Sequence, residues 1–129
     1  MADSKRRTVL IVDDASLVRL YYRGALEQAG FAVEEALNGL EALEKLLSLQ
    51  VDLVIVDVNM PQMDGLRFLE RLRAKAPPEG SIPALVTSTE GKSVDMAAAR
   101  AAGANFYLVK PLSPETLVEH ARLLSGAPR

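Results

Sequence analysis

Cysteine is absent from this chain of 129 residues, and histidine occurs only once, at His120. Without cysteine the chain has neither a disulfide framework nor thiol chemistry, and one histidine is too few for the usual zinc ligand sets. The lack of cysteine is compatible with a cytoplasmic location. We interpret His120, alone on a predicted helix, as a surface side chain.

A basic excess and a long apolar segment are also missing. The formal net charge is -2, which does not support a nucleic-acid partner, and we interpret Lys5, Arg6 and Arg7 as a solvated tail. No apolar run approaches the ~20 residues needed to cross a bilayer, and the N-terminus lacks the apolar core of a signal peptide. We therefore expect no nucleic acid and no membrane among the partners.

What remains is an ordinary globular composition, 49% hydrophobic and 25% charged. A chain of this length fits one domain and buries enough apolar surface to fold without a disulfide or a structural metal. We find no linker and no internal repeat. We expect a single domain over residues 1–129, with no output domain after the last helix.

Short apolar runs alternate with longer amphipathic stretches along the chain. Continuous runs at 8–12, 52–56, 84–87 and 106–109 are typical of strands covered on both faces. A further run at 31–36 carries two glutamates, which indicates an edge strand. The sequence therefore predicts five strands.

Between the runs, apolar residues recur at helical spacing. The first helix is expected to bury Val18, Tyr22, Ala25 and Ala29, and the second Leu40, Leu43, Leu46 and Leu47. Predicted N-caps and C-terminal stops are Asn38, Asp64, Ser113, Gly30 and Gly103. Strand and helix thus alternate five times, which predicts an α/β fold with a parallel sheet, helices on both faces and right-handed crossovers.

Acidic side chains follow two of the predicted strands. Asp13 and Asp14 follow the first and Asp57 the third, and we expect these two apolar strands to be central neighbours. In an open parallel sheet the ligand crevice lies beyond the carboxyl ends of the strands. Clustered carboxylates repel one another unless a cation neutralises them, and oxygen ligands favour Mg²⁺. The pattern leaves one alternative open, in which Asp13 and Asp14 serve only as helix caps.

The other strand ends add hydroxyls and a lysine. Thr87, Ser88 and Thr89 end the fourth strand, and Lys110 ends the fifth. An aspartate can attack a phosphoryl group to form an acyl phosphate, and Mg²⁺ with Lys110 would neutralise the transferring group. Asp57 precedes a loop, so we expect it to be exposed and to be the nucleophile.

Four motifs spread from about Thr8 to Leu124 carry a family resemblance: Ile11-Val12-Asp13-Asp14, Asp57-x-Asn59-Met60-Pro61-x-Met63-Asp64-Gly65, Thr87-Ser88 and Lys110-Pro111. In order and spacing they resemble the receiver domain of bacterial two-component response regulators, which has the CheY-like fold. The resemblance implies a doubly wound, flavodoxin-like (βα)5 sheet with strand order 2-1-3-4-5 and a core over about 8–124.

The resemblance implies a role for each matching residue. Asp57 is the expected phosphoacceptor. Asp14 and Asp57 would bind Mg²⁺ directly, Asp13 through water, and Asn59 through its backbone carbonyl. Lys110 would contact the phosphoryl group and precede a cis peptide bond.

A switch is also implied. Counting back from Lys110 favours Ser88 over Thr87 as the switch hydroxyl. The switch aromatic is Tyr107, whose alternative interpretation is ordinary edge-strand packing. Phosphorylation would turn Ser88 toward the phosphoryl oxygens, draw Tyr107 inward and remodel the surface of the fourth helix, fifth strand and fifth helix.

Three polar positions are expected to influence the rates of phosphorylation and dephosphorylation. Asn59 and Glu90 stand two positions after the acceptor and the switch hydroxyl, where side chains tune the lifetime of the acyl phosphate. Thr89 stands where the family usually has alanine or glycine, and a β-branched side chain there narrows access to the site.

The expected phosphodonor is a histidine kinase or a histidine phosphotransfer protein, and a separate downstream protein is expected to bind the remodelled surface. The chain would then be a signalling phosphoacceptor rather than an enzyme, although it supports its own phosphotransfer and autodephosphorylation. We expect a monomer, or a weak dimer on activation.

Three alternative functions compete with this one. A phosphatase of the haloacid dehalogenase type needs an acid two residues after its nucleophile, and Asn59 stands there. A flavodoxin-like cofactor module needs a phosphate-binding loop after the first strand, where Asp13 and Asp14 would repel phosphate. A receiver-like interaction module that is never phosphorylated stays open.

Overall fold

Strands and helices alternate from Thr8 to Ser125 in the computed structural model, which describes residues 6–127. The strands are β1 (Thr8–Val12), β2 (Ala32–Ala36), β3 (Leu53–Asp57), β4 (Ala84–Ser88) and β5 (Phe106–Val109). The helices are α1 (Ser16–Gln28), α2 (Gly39–Leu46), α3 (Gly65–Arg73), α4 (Ser93–Ala102) and α5 (Pro114–Ser125). Lys5, part of the predicted tail, lies outside the described residues, whereas Arg6 and Arg7 are exposed.

The five strands form one parallel sheet in the order β2-β1-β3-β4-β5. This confirms the predicted α/β fold, its strand order and the edge position of β2. The central strand β3 is buried along its whole length, as its unbroken apolar sequence indicates. Among residues 6–127, no helix combines the length and apolar character required to cross a bilayer.

Helices cover both faces of the sheet and define two cores. One face, which we call the α1/α5 face, packs side chains such as Ile55 and Leu85 against α1 and α5. The opposite face, the α2–α4 face, packs side chains such as Val56 and Val86 against α2, α3 and α4. Successive strand residues point to opposite faces, so each residue's place in the strand decides which core it joins.

The predicted helix ends are confirmed. Asn38, Asp64 and Ser113 each accept a hydrogen bond from the backbone N–H three residues later, which satisfies an otherwise unpaired donor of the first turn. Gly30 and Gly103 follow their helices with φ of 100° and 114°, a left-handed conformation that glycine adopts without strain.

The apolar stripe predicted for α2 is wrong in part. Leu46 is 2% exposed and Ala42 is fully buried, but Leu40 and Leu47 are 47% and 71% exposed. The helix is short and buries Gly39, Ala42 and Leu46, so only one side of the leucine-rich sequence reaches the core.

Arg73 fastens the end of α3 to the neighbouring loops. Its guanidinium donates to the carbonyls of Gly80, Ile82 and Gly103 and to the side chain of Asn105. Burial lowers the pKa of Arg73 because desolvation disfavours the charged form. The four contacts hold together the amino-terminal ends of β4 and β5, opposite the predicted site.

Candidate functional site

The three predicted acids meet at the carboxyl edge of the sheet. One carboxylate oxygen from each of Asp13, Asp14 and Asp57 lies within 4.8 Å of the other two. The neighbouring positions of β1 and β3 produce this cluster, since Val12 pairs with Val56 in the parallel register. The sequence prediction that these acids converge is confirmed.

Burial differs sharply among the acids. Asp13 and Asp57 are 2% and 8% exposed, whereas Asp14 is exposed. The expectation that Asp57 is exposed is therefore wrong. It is the last residue of β3, a strand that is buried along its whole length, and Lys110 lies 3.0 Å from its carboxylate.

Lys110 bridges two of these carboxylates. Its Nζ lies 3.0 Å from Oδ2 of Asp13 and 3.0 Å from Oδ1 of Asp57. Lys110 directly follows β5, and its peptide bond to Pro111 is cis, as expected from the resemblance. The ammonium is thus held inside the acid cluster, with its side chain only 16% exposed.

The charges of the cluster perturb one another. Burial raises the pKa of Asp57, the charges of Asp13 and Asp14 raise it further, and the hydrogen bond and charge of Lys110 act against them. Burial alone would lower the pKa of Lys110, but its hydrogen bonds to Asp13 and Asp57 outweigh burial and raise it. An additional cation that neutralises Asp13 and Asp14 would therefore favour the ionised form of Asp57.

The helix-cap alternative for Asp14 finds no support. The N-cap of α1 is Ala15, and no side chain caps this helix. Asp13 does bind a backbone N–H at the start of α1: its Oδ1 accepts a hydrogen bond from the Ala15 N–H at 2.9 Å. Its Oδ2 remains directed at Lys110, so the bond to Ala15 orients the carboxylate within the cluster.

Arg19 is a supporting residue that the sequence analysis missed. It donates to the Asp13 carbonyl at 2.7 Å and to Glu35 of β2 at 2.8 Å. Arg23 also binds Glu35, and this contact holds the pKa of the Glu35 carboxyl below its usual range. The charges along α1 had no recognisable partner in the sequence, because Glu35 lies on another element.

The loop after Asp57 approaches it closely at Gly65. A Cβ at Gly65 would lie 2.3 Å from the Asp57 carbonyl oxygen, so no other residue fits there without a backbone shift. The Gly65 N–H donates to the Val58 carbonyl, and the Val58 N–H donates to the Thr87 carbonyl. These bonds fix the start of the loop, while Asn59 stands exposed within it.

The predicted hydroxyl residues occupy different environments. Thr87 and Ser88 are buried at 0% and 1% exposure, whereas Thr89 is exposed. The Ser88 Oγ accepts a hydrogen bond from the Glu90 N–H at 3.0 Å. The Thr87 Oγ1 is buried and has no hydrogen-bond partner among the described residues, so it is the unexplained polar atom of this region.

Tyr107 connects β5 to the loop that follows β4. Its hydroxyl donates to the Glu90 carbonyl at 2.6 Å, and its ring packs at the border of the core on the α2–α4 face. Tyr107 is therefore more than an edge-strand side chain, because it ties together the two segments that carry the predicted switch.

Tyr22 is a second residue that the sequence analysis did not assign to the site. It is 3% exposed within the core of the α1/α5 face. Burial raises the pKa of its phenol, the charge of Lys110 lowers it, and the charges of Asp13 and Asp57 raise it. A hydroxyl within a predicted apolar stripe was the available signal.

His120 lies far from the acids. Its ring packs against Phe106 with 4.8 Å between ring centroids, and its Nδ1 lies 2.7 Å from the Thr116 carbonyl. The expected surface position is thus only partly right, since His120 is half-buried.

The donor set of this site fits a hard divalent cation. Three carboxylates meet with an exposed loop at Asn59, and oxygen ligands of this kind are those that Mg²⁺ prefers. A cation there also relieves the repulsion that Lys110 alone only partly offsets.

Comparison with known proteins gives a consistent result. The family model described as response regulator receiver domain matches residues 9–122. The chain is 36% identical over 120 residues to chemotaxis protein CheY1 of Helicobacter pylori, covering 92% of this chain and 96% of that protein. It is 38% identical over 114 residues to chemotaxis protein CheY of Thermotoga maritima, covering 88% and 92%.

Solved structures agree. Chemotaxis protein CheY4 of Vibrio cholerae, crystallised at low pH, superposes with a TM-score of 0.87 at 36% identity, covering 93% of this chain and 99% of that one. A putative response regulator from Chloroflexus aurantiacus gives a TM-score of 0.88 at 34% identity, covering 95% and 99%. The similarity thus extends over nearly the whole of each chain.

Proposed function

The chain belongs to the response regulator receiver domain family, and from that premise we propose that it is a Mg²⁺-dependent phosphoacceptor of a two-component or phosphorelay pathway. In this proposal Asp57 receives the phosphoryl group from a histidine kinase or a histidine phosphotransfer protein in the cytoplasm. The observation that supports it most directly is the Lys110 ammonium, held 3.0 Å from carboxylate oxygens of both Asp57 and Asp13.

The two oxygens of Asp57 have different surroundings. Lys110 binds Oδ1, which leaves Oδ2 as the oxygen that attacks phosphorus. An O–P bond forms as the bond from phosphorus to the donor breaks, and the donor group leaves with the electron pair of that bond. Lys110 then balances negative charge on the transferred group.

The acids would hold the metal that this transfer needs. Asp13, Asp14 and Asp57 would bind Mg²⁺ together with the Asn59 carbonyl, and the bound ion supplies charge neutralisation at the phosphoryl oxygens. Thr89, Glu90 and the Asn59 side chain are exposed beside the cluster, so they would control the access of water and hence the lifetime of the acyl phosphate.

We propose that α4, β5 and α5 form the output face. Four apolar side chains on these elements are more exposed than is usual for their type: Val94 at 68%, Phe106 at 46%, Val109 at 40% and Leu123 at 62%. Ser88 and Tyr107 are linked through Glu90, whose N–H donates to the Ser88 Oγ and whose carbonyl accepts from the Tyr107 hydroxyl. A downstream protein would bind the face with different affinity in the two states.

Acetyl phosphate provides the test. Wild type and Asp57→Ala are incubated with the donor, with and without Mg²⁺, and their intact masses are measured. We expect wild type to gain about 80 Da, one phosphoryl group on the nucleophile, only when Mg²⁺ is present, and Asp57→Ala to gain nothing. Asp95→Asn on α4 is the matched control and should behave as wild type.

The opposite result would point elsewhere. If wild type gains no mass under any condition, the chain is better described as an interaction module that is not phosphorylated. If Asp57→Ala still gains the phosphoryl group, another residue is the acceptor.

A second experiment tests the output face. Hydrogen exchange is compared with and without acetyl phosphate at saturating Mg²⁺. Protection should change in peptides covering 88–92 and 106–109 in wild type and stay constant in Asp57→Ala. Unchanged protection in phosphorylated wild type would place the output surface elsewhere.

A further inference from the structure

Three polar side chains of the site extend from one face of the sheet. Leu53 and Ile55 belong to the core of the α1/α5 face, so strand alternation places Asp57 on that face as well. Leu85 and Ile11 also belong to this core. Thr87 and Asp13 stand two positions after them, so the same alternation places both on this face. The acids and Thr87 are therefore neighbours beneath α1, on the side away from the output switch.

Thr87 lies beside the acceptor in the sheet. The two residues are Cα partners in the register of β3 with β4. Thr87 is fully buried, yet its hydroxyl has no hydrogen-bond partner among the described residues. A buried hydroxyl without a partner is unfavourable, and such groups in native proteins call for a functional explanation.

Tyr22 covers this position from α1. Its ring is buried at 3% exposure, and the groups that act on its hydroxyl are Lys110, Asp13, Asp57 and Thr87. Phenylalanine and valine would fill the space of Tyr22 and Thr87 equally well. Packing therefore requires neither hydroxyl, although Thr87 pairs with the acceptor in the sheet and the charge of Asp57 acts on Tyr22.

Building on the proposed function, we infer that Tyr22 and Thr87 form a pair of hydroxyls beneath Asp57 that positions its carboxylate for phosphoryl transfer. An ionised carboxylate only accepts hydrogen bonds. This fixes the direction of the two bonds that the inference adds to the structure, in which Thr87 Oγ1 has no partner among the described residues: the Tyr22 hydroxyl would donate to Thr87 Oγ1, and the Thr87 hydroxyl would donate toward Asp57. Lys110 holds Oδ1 from one side, and the pair restricts rotation of the carboxylate from below.

The test removes each hydroxyl while keeping the side-chain volume. Initial rates of acyl-phosphate formation are measured at saturating Mg²⁺ over a range of acetyl phosphate concentrations, for wild type, Tyr22→Phe, Thr87→Val and the double variant. Thr87→Ser restores the hydroxyl. Tyr21→Phe is the matched control, because it removes a neighbouring phenol of α1 that donates to the Leu112 carbonyl.

We expect each single variant to lower the maximal rate by about three- to tenfold, the effect of one hydrogen bond, with little change in the apparent KM. The double variant should be no slower than the slower single variant, because the two hydroxyls act together. Thr87→Ser and Tyr21→Phe should keep the wild-type rate. Circular dichroism checks that each variant is folded, and if Tyr22→Phe is not, the comparison of Thr87→Val with Thr87→Ser decides.

Other outcomes overturn the inference. Single variants with the wild-type rate would assign both residues to packing alone, and losses that multiply in the double variant would show that the hydroxyls act separately. A Thr87→Ser rate as low as that of Thr87→Val would also refute it. Wild type that takes no phosphoryl group would overturn both this inference and the proposed function, whereas phosphorylated wild type with unaffected variants overturns the inference alone.

Discussion

Replacing the acceptor by its neutral amide, Asp57→Asn, should stabilise the metal-free protein. Asp57 is buried between two other carboxylates, and Lys110 is the cation that lies against it. The amide keeps the shape of the side chain and removes its charge. We therefore expect a higher free energy of unfolding in the variant when Mg²⁺ is chelated.

The magnitude follows from the distances. At an effective dielectric constant of about 20, carboxylate oxygens within 4.8 Å of each other repel by roughly 3 kcal/mol or more, and an ion pair at 3.0 Å attracts by roughly 5.5 kcal/mol. Two repulsions and one attraction nearly cancel at Asp57, so the cost of burying its charge decides the sign. We expect a gain of about 1–3 kcal/mol in the variant, or roughly 4 °C in Tm for each kcal/mol.

The gain should depend on pH. Burial and the neighbouring acids raise the pKa of Asp57 in the folded state above that of the unfolded chain. Above the folded pKa the ionised carboxylate destabilises the fold, and as the pH falls through that pKa the folded state binds the proton first and the destabilisation is lost. The difference between variant and wild type should therefore be largest near neutral pH and shrink in acid.

Urea unfolding at pH 7, with EDTA or with Mg²⁺, measures the effect. Mg²⁺ at about 100 times its Kd should stabilise wild type by about 2.7 kcal/mol, and Asp57→Asn by less, so the gap should close or reverse. Asp95→Asn should have the same stability as wild type in EDTA and should gain as much stability from Mg²⁺ as wild type does. A variant less stable than wild type in EDTA at pH 7 would refute the reasoning, because it would mean that Lys110 more than balances the acids.

Three further predictions concern other parts of the chain. Thr89→Ala should change the rate of phosphorylation by acetyl phosphate or of dephosphorylation, because it widens access to the site, and equal rates in both proteins would contradict this. Arg73→Ala should cost about 2–4 kcal/mol in urea unfolding, because it leaves buried carbonyls without their donor, whereas the exposed Arg71→Ala on the same helix should cost under about 0.5 kcal/mol. In thermal unfolding, Leu46→Ala should lower the free energy of unfolding by about 2–5 kcal/mol. Leu47→Ala, at an exposed position, should leave it nearly unchanged.

Much of the fold could be predicted because its signals are local. The unbroken apolar run that becomes β3 indicates a strand buried on both faces, and Asn38 and Asp64 mark helix starts through bonds to residues three positions later. The acid cluster could also be predicted, since parallel strands bring their carboxyl ends to one edge. The choice of Ser88 as the switch hydroxyl stays a prediction.

The missed features depend on contacts between distant segments. Asp57 is buried among Asp13, Asp14 and Lys110, which come from the ends of other strands. Arg19 meets its partner Glu35 only when α1 lies beside β2. Leu47 has the right spacing for a core residue, but the side of α2 that faces the core carries Gly39, Ala42 and Leu46. Spacing along a helix shows which side chains share a side, not which side the sheet will cover.

The step from Thr87 to Ser88 has a consequence for how such a protein can change over evolutionary time. These adjacent residues lie on opposite faces of the sheet, so a substitution at Thr87, on the α1/α5 face, and one at Ser88, on the α2–α4 face, need not disturb each other. A lineage can therefore alter the rate at which the domain is phosphorylated while preserving the surface that its target recognises. It can equally acquire a new target while keeping its reactivity toward the phosphodonor. The residues that would control these two properties, Thr87 and Ser88, are joined by a single peptide bond.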